Sequence, residues 1–207
     1  VLVPDPRGGL AVVSDIDDYG ETVKVVKFHE RLEAEVGIGQ YVFFKVSHTD
    51  SKPFSVAANR NGLELLVRNV GPMTAKACEL KVNDVVRVRG PYGAPFTLPE
   101  DRPAYLVGAG VGIAPVNYAA QIHQGPKKVF LGAVTASELV YRKELQEIGD
   151  VMVSTDDGTA GHHGRIAELV EKVLAADKPE NPVFLNCGPE LAMRALDEVE
   201  RKYAPPS

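Results

Sequence analysis

Apolar and polar residues follow different patterns in the two halves of the chain. Up to about residue 98, short runs rich in β-branched and aromatic residues alternate with turn residues. The Asn61-Gly62 pair lies between two such runs and is typical of a hairpin. About six short strands at this spacing predict a small antiparallel barrel or sandwich. The runs lie at 11–13, 22–28, 41–47, 54–57, 63–69 and 85–89, with turns expected at 17–20 and 90–93 and a helix near 74–80.

From Pro103 onward, strand-like runs alternate with helical periodicity. Short apolar runs at 104–107, 129–133, 151–154 and 183–186 indicate buried strands. Apolar residues recur at helical spacing from Arg165 and again after Gly188. This alternation predicts a parallel sheet with helices on both faces. The predicted fold therefore has two domains, an antiparallel β-barrel over 1–98 and an α/β domain over 103–207.

Composition narrows the classes of function. The 23 Lys and Arg residues against 28 Asp and Glu give a net charge of −5, which does not favour a nucleic-acid partner. No run approaches the roughly 18 apolar residues of a membrane helix. Cys78 and Cys187 are too few for a disulfide framework, so a cytoplasmic setting is expected. His162-His163 has no further ligand at metal-binding spacing, so we expect a solvated loop and no metal site.

A glycine-rich turn follows the strand at 104–107. Gly108, Gly110 and Gly112 would let a phosphate approach the backbone before the next helix. The third glycine comes one position earlier than in G-x-G-x-x-G, and no acidic residue follows the strand at 129–133. A typical Rossmann dehydrogenase is therefore disfavoured. Such a turn can also serve strand–helix packing alone.

The other strands of the second half end in small or polar residues, at 135–137, 155–158 and 186–189. Carboxyl ends of parallel strands line one crevice, where ligands bind. Asp157-Gly158 could instead be only a turn, and Cys187 only a small buried apolar residue. In the first half, the segment 52–55 contains a cation, an aromatic ring and a hydroxyl. The segment 71–74 offers a hydroxyl and free backbone amides. Thr74 could bind a diphosphate or be only a helix N-cap.

Six segments in order resemble the ferredoxin–NADP reductase superfamily, and together they span nearly the whole chain. They are 39–42, 52–55, 71–74, 90–93, 108–115 and 187–190. In that family an antiparallel barrel binds FAD, and a following α/β domain binds NAD(P)H. The resemblance implies that Phe54 lies along the isoalloxazine and that Ser55 faces flavin N5. Lys52 stands where the family usually has Arg. Lysine keeps the positive charge but lacks the bidentate fork of arginine.

The resemblance also implies the remaining site residues. Ser55 and Cys187 are the expected catalytic residues, and Cys187 would lie near the nicotinamide ring. The expected FAD-binding residues are Lys52, Pro53, Phe54, Ser55, Leu66, Val67, Arg68, Gly71, Met73 and Thr74. The expected NAD-binding residues are Gly108, Gly110, Gly112, Asp156, Asp157, Gly158, Cys187, Gly188 and Pro189. NAD is favoured over NADP because Asp156 and Asp157 would repel a 2′-phosphate, although Arg142 and Lys143 could reach the same region.

Within the superfamily, the chain is most similar to electron-transfer subunits of the dihydroorotate dehydrogenase type. Sulfhydrogenase gamma and NADH-dependent ferredoxin oxidoreductase subunits are nearly as similar. This likeness implies a hetero-oligomer with an FMN-containing dehydrogenase or another redox subunit. Such subunits normally carry four cysteines after the last helix, so a [2Fe-2S] cluster is expected only with a cysteine-rich segment beyond residue 207.

We expect hydride transfer between nicotinamide and flavin, with electrons passed onward to a partner. Two alternatives remain open. A stand-alone NAD(P)H:flavin reductase would reduce free flavin, and a scaffold that has lost its cofactor would bind no FAD.

Overall fold

The computed structural model describes Leu2 and residues 8–203, and the chain divides into two compact units, 1–97 and 98–207. The first unit is a closed antiparallel barrel with strand order β1-β2-β5-β4-β3-β6. Alternating apolar residues fill its interior, and closure gives every strand two neighbours, although the ladder between β4 and β5 is short. Its elements are β1 (Gly9–Tyr19), β2 (Val23–Phe28), β3 (Tyr41–Lys45), β4 (Lys52–Ala58), β5 (Glu64–Arg68), α1 (Pro72–Cys78) and β6 (Val85–Tyr92).

Strand β1 is longer than predicted, and the turn expected at 17–20 is displaced to 20–22. The strand pairs with β2 as far as Tyr19 opposite Val23. The aspartates in this stretch are tolerated because lysines of β2 neutralise them across the ladder. Lys24 Nζ lies 2.8 Å from an Asp18 oxygen, and Lys27 Nζ lies 2.6 Å from an Asp17 oxygen. Cross-strand ion pairs thus support strand structure in the acidic run, and the turn begins only at Gly20.

The turn expected at 90–93 is also displaced, because β6 continues through Tyr92. Tyr92 is paired with Tyr41 of β3, and its ring centroid lies 5.5 Å from that of Phe43. Helix α1 begins at Pro72 rather than near Thr74. Proline suits a first helical turn because it lacks an N–H that would be unpaired there.

The second unit is a five-stranded parallel sheet with order β10-β9-β8-β7-β11. The predicted fold class is therefore confirmed. Short 3₁₀ turns at Gly110–Gly112 and Ala136–Glu138 follow two of the strands. The strands are β7 (Ala104–Ala109), β8 (Lys127–Ala133), β9 (Asp150–Thr155), β10 (His162–His163) and β11 (Val183–Cys187), and the helices are α2 (Ile113–Ile122), α3 (Arg142–Gln146), α4 (Ile166–Asp177) and α5 (Glu190–Tyr203).

Apolar side chains fix the helices to the sheet. On one face, Tyr105 and Phe130 stack with centroids 6.0 Å apart and pack among buried residues of α4 and α5, including Leu174 and Leu196. Helix α2 is almost wholly buried over the 113–120 segment. Among residues 8–203, no helix is both long and apolar enough to cross a membrane.

The solvated loop expected at His162-His163 is wrong, since these residues form β10 beside β9. His162 is paired with Ser154, and its Nε2 lies 3.4 Å from a Glu168 oxygen. Gly161 has a φ of +65°, and a Cβ there would collide with the Val153 carbonyl oxygen. Glycine therefore allows the chain to turn back against β9. A two-residue strand has no periodicity that a sequence could reveal.

Candidate functional site

The barrel opens between β4 and β5. These strands are paired at Val56–Leu65 and Ala58–Glu64, and no other pair joins them within the described barrel strands. Toward Lys52, β4 is paired by backbone hydrogen bonds only with β3. Toward Arg68, β5 is paired only with β2. The facing edges of the two strands therefore separate toward one end. Separated strand edges present backbone donors and acceptors to a ligand, as a continuous ladder would not.

Phe54 and Ser55 lie on the separated part of β4. Phe54 is half-buried, and its ring meets Phe44 edge to face at 5.4 Å between centroids. Phe44 in turn meets the buried Phe28 at 5.9 Å. This aromatic series fixes the Phe54 ring at the opening. Ser55 lies directly opposite Tyr41 of β3 and is partly exposed, whereas Lys52 and Pro53 are exposed.

The predicted residues of β5 and α1 complete this region of the barrel. Leu66 and Val67 are buried and belong to the core, and Arg68 is half-buried opposite Val23. Met73 is 6% exposed and anchors α1 on the barrel. The structure thus brings 52–55, 66–68 and the start of α1 onto consecutive elements, with backbone rather than side chains of β5 facing the opening.

The Thr74 hydroxyl is already fully used within its own turn. Its oxygen accepts hydrogen bonds from the N–H groups of Val70 (2.9 Å) and Gly71 (3.0 Å) and donates to the Gly71 carbonyl (2.9 Å). Thr74 is therefore not the N-cap, which is Gly71. A Cβ at Gly71 would meet no atom within 4 Å, so open space lies beside this backbone. Thr74 therefore stabilises the turn, and the Gly71 backbone is the part of the turn that a ligand could reach.

In the second unit, the glycine-rich turn packs against the end of β11. A Cβ at Gly108 would lie 2.9 Å from the Ile113 Cα. A Cβ at Gly112 would collide with the carbonyl of Cys187 and lie 2.6 Å from the Gly188 nitrogen. Gly110 has a φ of +55°, a conformation that glycine adopts without strain. The three predicted glycines therefore bring the turn and the Cys187-Gly188 backbone into direct contact.

Cys187 lies beside this turn, paired with Gly108 of β7. Burial raises the pKa of its half-buried thiol, and a hydrogen bond from the Gly188 backbone offsets only part of that effect. The side chain is thus a neutral thiol at physiological pH and not an activated nucleophile. Pro189 is exposed and precedes α5, which begins at Glu190.

The two aspartates after β9 differ in their contacts. The Asp157 carboxylate accepts hydrogen bonds from the Thr159 N–H (3.0 Å) and hydroxyl (2.6 Å). These Thr159 hydrogen bonds lower the pKa of Asp157. The exposed Asp156 side chain makes no hydrogen bond or ion pair to the described residues. Only Asp156 is thus available for a ligand without breaking the loop.

Thr159 is a residue of the candidate site that the sequence interpretation missed. Its hydroxyl accepts a hydrogen bond from the Ala136 N–H at 2.9 Å and lies 3.3 Å from the Thr135 hydroxyl. It therefore ties the loop after β8 to the loop after β9. The signal for it was Asp157 two residues earlier, because Asp side chains often bond the backbone two residues on. Gly158, with a φ of +74°, lies against the His163 ring.

The titratable side chains that the structure describes do not converge on a metal. Within residues 8–203 and Leu2, no group of three or more His, Cys, Asp or Glu side chains could hold an ion. The arrangement instead offers two ligand regions: a separated strand pair with an aromatic ring, and a glycine-lined rim at the carboxyl ends of a parallel sheet. Both suit an extended phosphate-bearing cofactor.

Comparison with known proteins identifies the family of the chain. Residues 11–96 match the sequence family described as the oxidoreductase FAD-binding domain. The chain is 33% identical over 193 residues to a protein of Thermococcus kodakarensis, covering 92% of this chain and 78% of the relative. It is 32% identical over 194 residues to a protein of Methanocaldococcus jannaschii, covering 92% and 72%. Both are named as probable dihydroorotate dehydrogenase B (NAD(+)) electron transfer subunits.

Solved structures share the fold. An NADH-dependent reduced ferredoxin–NADP oxidoreductase superposes with a TM-score of 0.84 at 24% identity, covering 97% of this chain and 75% of its own. A ferredoxin NADP+ reductase from Neisseria gonorrhoeae, solved with FAD and NADP, gives 0.81 at 15% identity, covering 97% and 93%. At these identities the likeness shows the fold alone.

Proposed function

Because this chain belongs to the family of the dihydroorotate dehydrogenase B electron transfer subunits, FAD-binding oxidoreductases of the ferredoxin reductase type, we propose that it moves reducing equivalents between NAD(H) and a partner redox subunit through FAD. The observation that carries this proposal is the opening between β4 and β5 beside Phe54, in the unit that matches the FAD-binding family. When bound, FAD supplies the redox chemistry, and the protein supplies alignment and electrostatics.

The barrel residues hold and orient the flavin. Phe54 packs along the isoalloxazine, because its ring is already fixed by Phe44. Ser55 offers its hydroxyl and backbone to the flavin N5 edge. The diphosphate is assigned to the backbone at Gly71, beside which open space lies, to the neighbouring Met73 backbone and to the Lys52 cation. Thr74 keeps that backbone in place through its three hydrogen bonds. FAD is thereby assigned to residues 1–98.

Residues 103–207 are assigned to the nicotinamide nucleotide. Gly108, Gly110 and Gly112 leave the rim free of side chains, so that the nucleotide can approach the backbone. Cys187 contributes a neutral, half-buried thiol that packs beside the nicotinamide, with Gly188 and Pro189 following it. Asp156 accepts the ribose hydroxyls, whereas Asp157 and Gly158 shape the loop. A carboxylate at this point disfavours the 2′-phosphate of NADP.

The partner is assigned to an FMN-containing dehydrogenase. The two relatives from Thermococcus and Methanocaldococcus are named as electron transfer subunits of dihydroorotate dehydrogenase B, so a hetero-oligomer with a catalytic subunit is the working assembly. In that assembly, this chain exchanges electrons with NAD(H), and the partner acts on dihydroorotate.

Two linked measurements test this function. The purified protein should retain FAD, and anaerobic mixing with NADH should bleach the visible flavin absorption faster than mixing with NADPH. Adding the co-purifying subunit and its oxidised substrate should restore the absorption. A protein that binds no FAD would overturn the proposal.

Reduction of free flavin is a second candidate, because Lys52 is exposed and lacks the bidentate fork of arginine. Steady turnover of added riboflavin by a protein that does not retain FAD would favour it over subunit-to-subunit transfer.

A further inference from the structure

A small cavity opens on the wall of the barrel, formed mainly by β3 and β6. Its volume is about 140 Å³, and its lining residues are Gly8, Phe43, Lys45, Ser51, Arg87, Val88 and Arg89. Basic side chains make up three of these seven, and none of the seven is acidic. The chain as a whole has a net charge of −5. This positive cavity therefore contrasts with the charge of the rest of the molecule.

Basic residues face each other across the ladder at this cavity. Lys45 of β3 lies directly opposite Arg87 of β6. Like charges in directly opposed positions destabilise an antiparallel pair. Lys45 makes no ion pair with any residue that the structure describes, and the described hydrogen bonds of Arg87 comprise one long contact of 3.4 Å to the Gly8 carbonyl. The repulsion is thus not compensated by described side chains, and an anion would compensate it.

The walls of the cavity are held in place before any ligand binds. The Arg89 guanidinium carbon lies 5.4 Å from the Phe43 ring centroid and 5.6 Å from that of Tyr92. Contacts of this kind attract the guanidinium to the faces of the rings. Gly8 has a φ of +84°, and a Cβ there would lie 3.2 Å from the Val88 carbonyl oxygen. Glycine therefore allows the backbone to form one wall at this distance.

We propose that this cavity binds a small multiply charged oxyanion of the phosphate class. Arg87 and Lys45 supply the charge, and the exposed Ser51 hydroxyl supplies a neutral donor. The volume equals that of about four or five waters, which suits inorganic phosphate, a small phosphomonoester or diphosphate. Pockets for larger organic ligands are typically about 300–1,000 Å³. The residues assigned to FAD and NAD are not among the lining residues.

Isothermal titration of the FAD-loaded protein tests this proposal, with inorganic phosphate, methyl phosphate and pyrophosphate as separate probes in a chloride buffer. The double variant K45Q/R87Q removes two charges from the cavity. The matched control K81Q/K172Q removes two charges from exposed positions elsewhere. We expect one saturable site in the wild type and the control, with affinity at least tenfold lower in K45Q/R87Q. The probe that binds most tightly distinguishes free phosphate from an ester or diphosphate.

Two further readouts keep the outcome clear. In the absence of phosphate, K45Q/R87Q should unfold at the same or a higher temperature than the wild type, because the facing charges are gone. In a heteronuclear NMR titration, phosphate should shift the amide signals of Gly8 and Ser51 before those of Gly71. An affinity equal in K45Q/R87Q and the wild type, an equal loss in both double variants, or the absence of saturable binding by all three probes would overturn the proposal.

Discussion

The two units build their candidate sites in opposite ways. In the barrel, the site depends on a gap in a strand ladder and on a side chain, Phe54, held beside it. In the parallel sheet, the site depends on the absence of side chains, because Gly112 allows the backbone of Cys187 to pack directly on the turn. Substitution should therefore affect ligand binding alone in the first unit, and folding together with binding in the second. Paired variants can break or sharpen this difference.

The largest effect is expected for Gly112→Ala. Its Cβ would collide with the Cys187 carbonyl, where backbone rather than a flexible side chain must move. Overpacking of this kind should lower the free energy of unfolding by about 3 kcal/mol or more, measured by denaturant titration. Gly71→Ala is the matched variant, because its Cβ would meet nothing within 4 Å. Gly71→Ala should lower the free energy of unfolding by less than about 1 kcal/mol, yet it should weaken FAD binding.

Gly149→Ala is the control for both variants, since a Cβ there also meets nothing within 4 Å and the position lies in neither site. It should change neither stability nor FAD affinity. Equal stability of the Gly112→Ala and Gly71→Ala variants would contradict the contrast between the two units.

Phe54→Ala is expected to have the next largest effect. Loss of an aromatic stacking partner costs about 1–3 kcal/mol, so FAD affinity should fall by roughly tenfold to a hundredfold. Flavin fluorescence quenching during FAD titration measures this change. Phe54→Tyr retains the ring and should bind FAD nearly as well as the wild type. A comparable loss of FAD affinity in both variants would show that the aromatic ring of residue 54 does not contribute to FAD binding.

Cys187→Ala should have a smaller effect. Burial raises the pKa of the thiol, so the residue packs as a neutral group. The rate of flavin reduction by NADH in stopped flow should then fall by no more than about tenfold, or about 1.4 kcal/mol. In a Cys78→Ser background, alkylation of Cys187 should be slow at neutral pH and accelerate only as pH rises toward the ordinary thiol range. Rapid alkylation at neutral pH would contradict a neutral thiol.

The smallest effects separate Asp156 from Asp157. Asp156→Asn should raise the KM for NADH several-fold, lower the preference for NADH over NADPH, and leave stability unchanged. Hydrogen bonds from Thr159 lower the pKa of Asp157 below its unfolded value. The carboxylate therefore stabilises the fold above the unfolded pKa of about 3.9. This stability is lost as pH falls through the lower folded pKa.

Asp157→Ala should remove that contribution, so its unfolding temperature should differ from the wild type near neutral pH and converge with it in strong acid. A constant difference at every pH would show that the carboxylate charge of Asp157 is not what holds the loop.

Most of the fold could be predicted from the sequence, because strand runs and helical periodicity are local properties. The family resemblance and the two-domain fold class are confirmed. The errors arise where pairing between distant residues decides the outcome. Lys24 and Lys27 extend β1 through an acidic run that looked like a turn. Glycine turns at 161 and 164 let His162-His163 pair with β9.

The candidate site was less predictable than the fold. The motif at 71–74 was recognised, but the sequence could not show that the Thr74 hydroxyl is used by its own turn. It could not show that Thr159 joins two loops, since Ala136 lies 23 residues earlier in the chain. The cofactor and catalytic roles of the site residues, Ser55 and Cys187 included, stay predictions.

The central claim is that FAD occupies the opening between β4 and β5. Hydrogen–deuterium exchange with and without FAD tests it most directly, because exchange reports on individual backbone amides. FAD should slow exchange in peptides that cover 53–56 and 66–73, and leave those that cover the β1–β2 pair unchanged. Unaltered exchange in 53–56 and 66–73 in FAD-saturated protein would contradict the account.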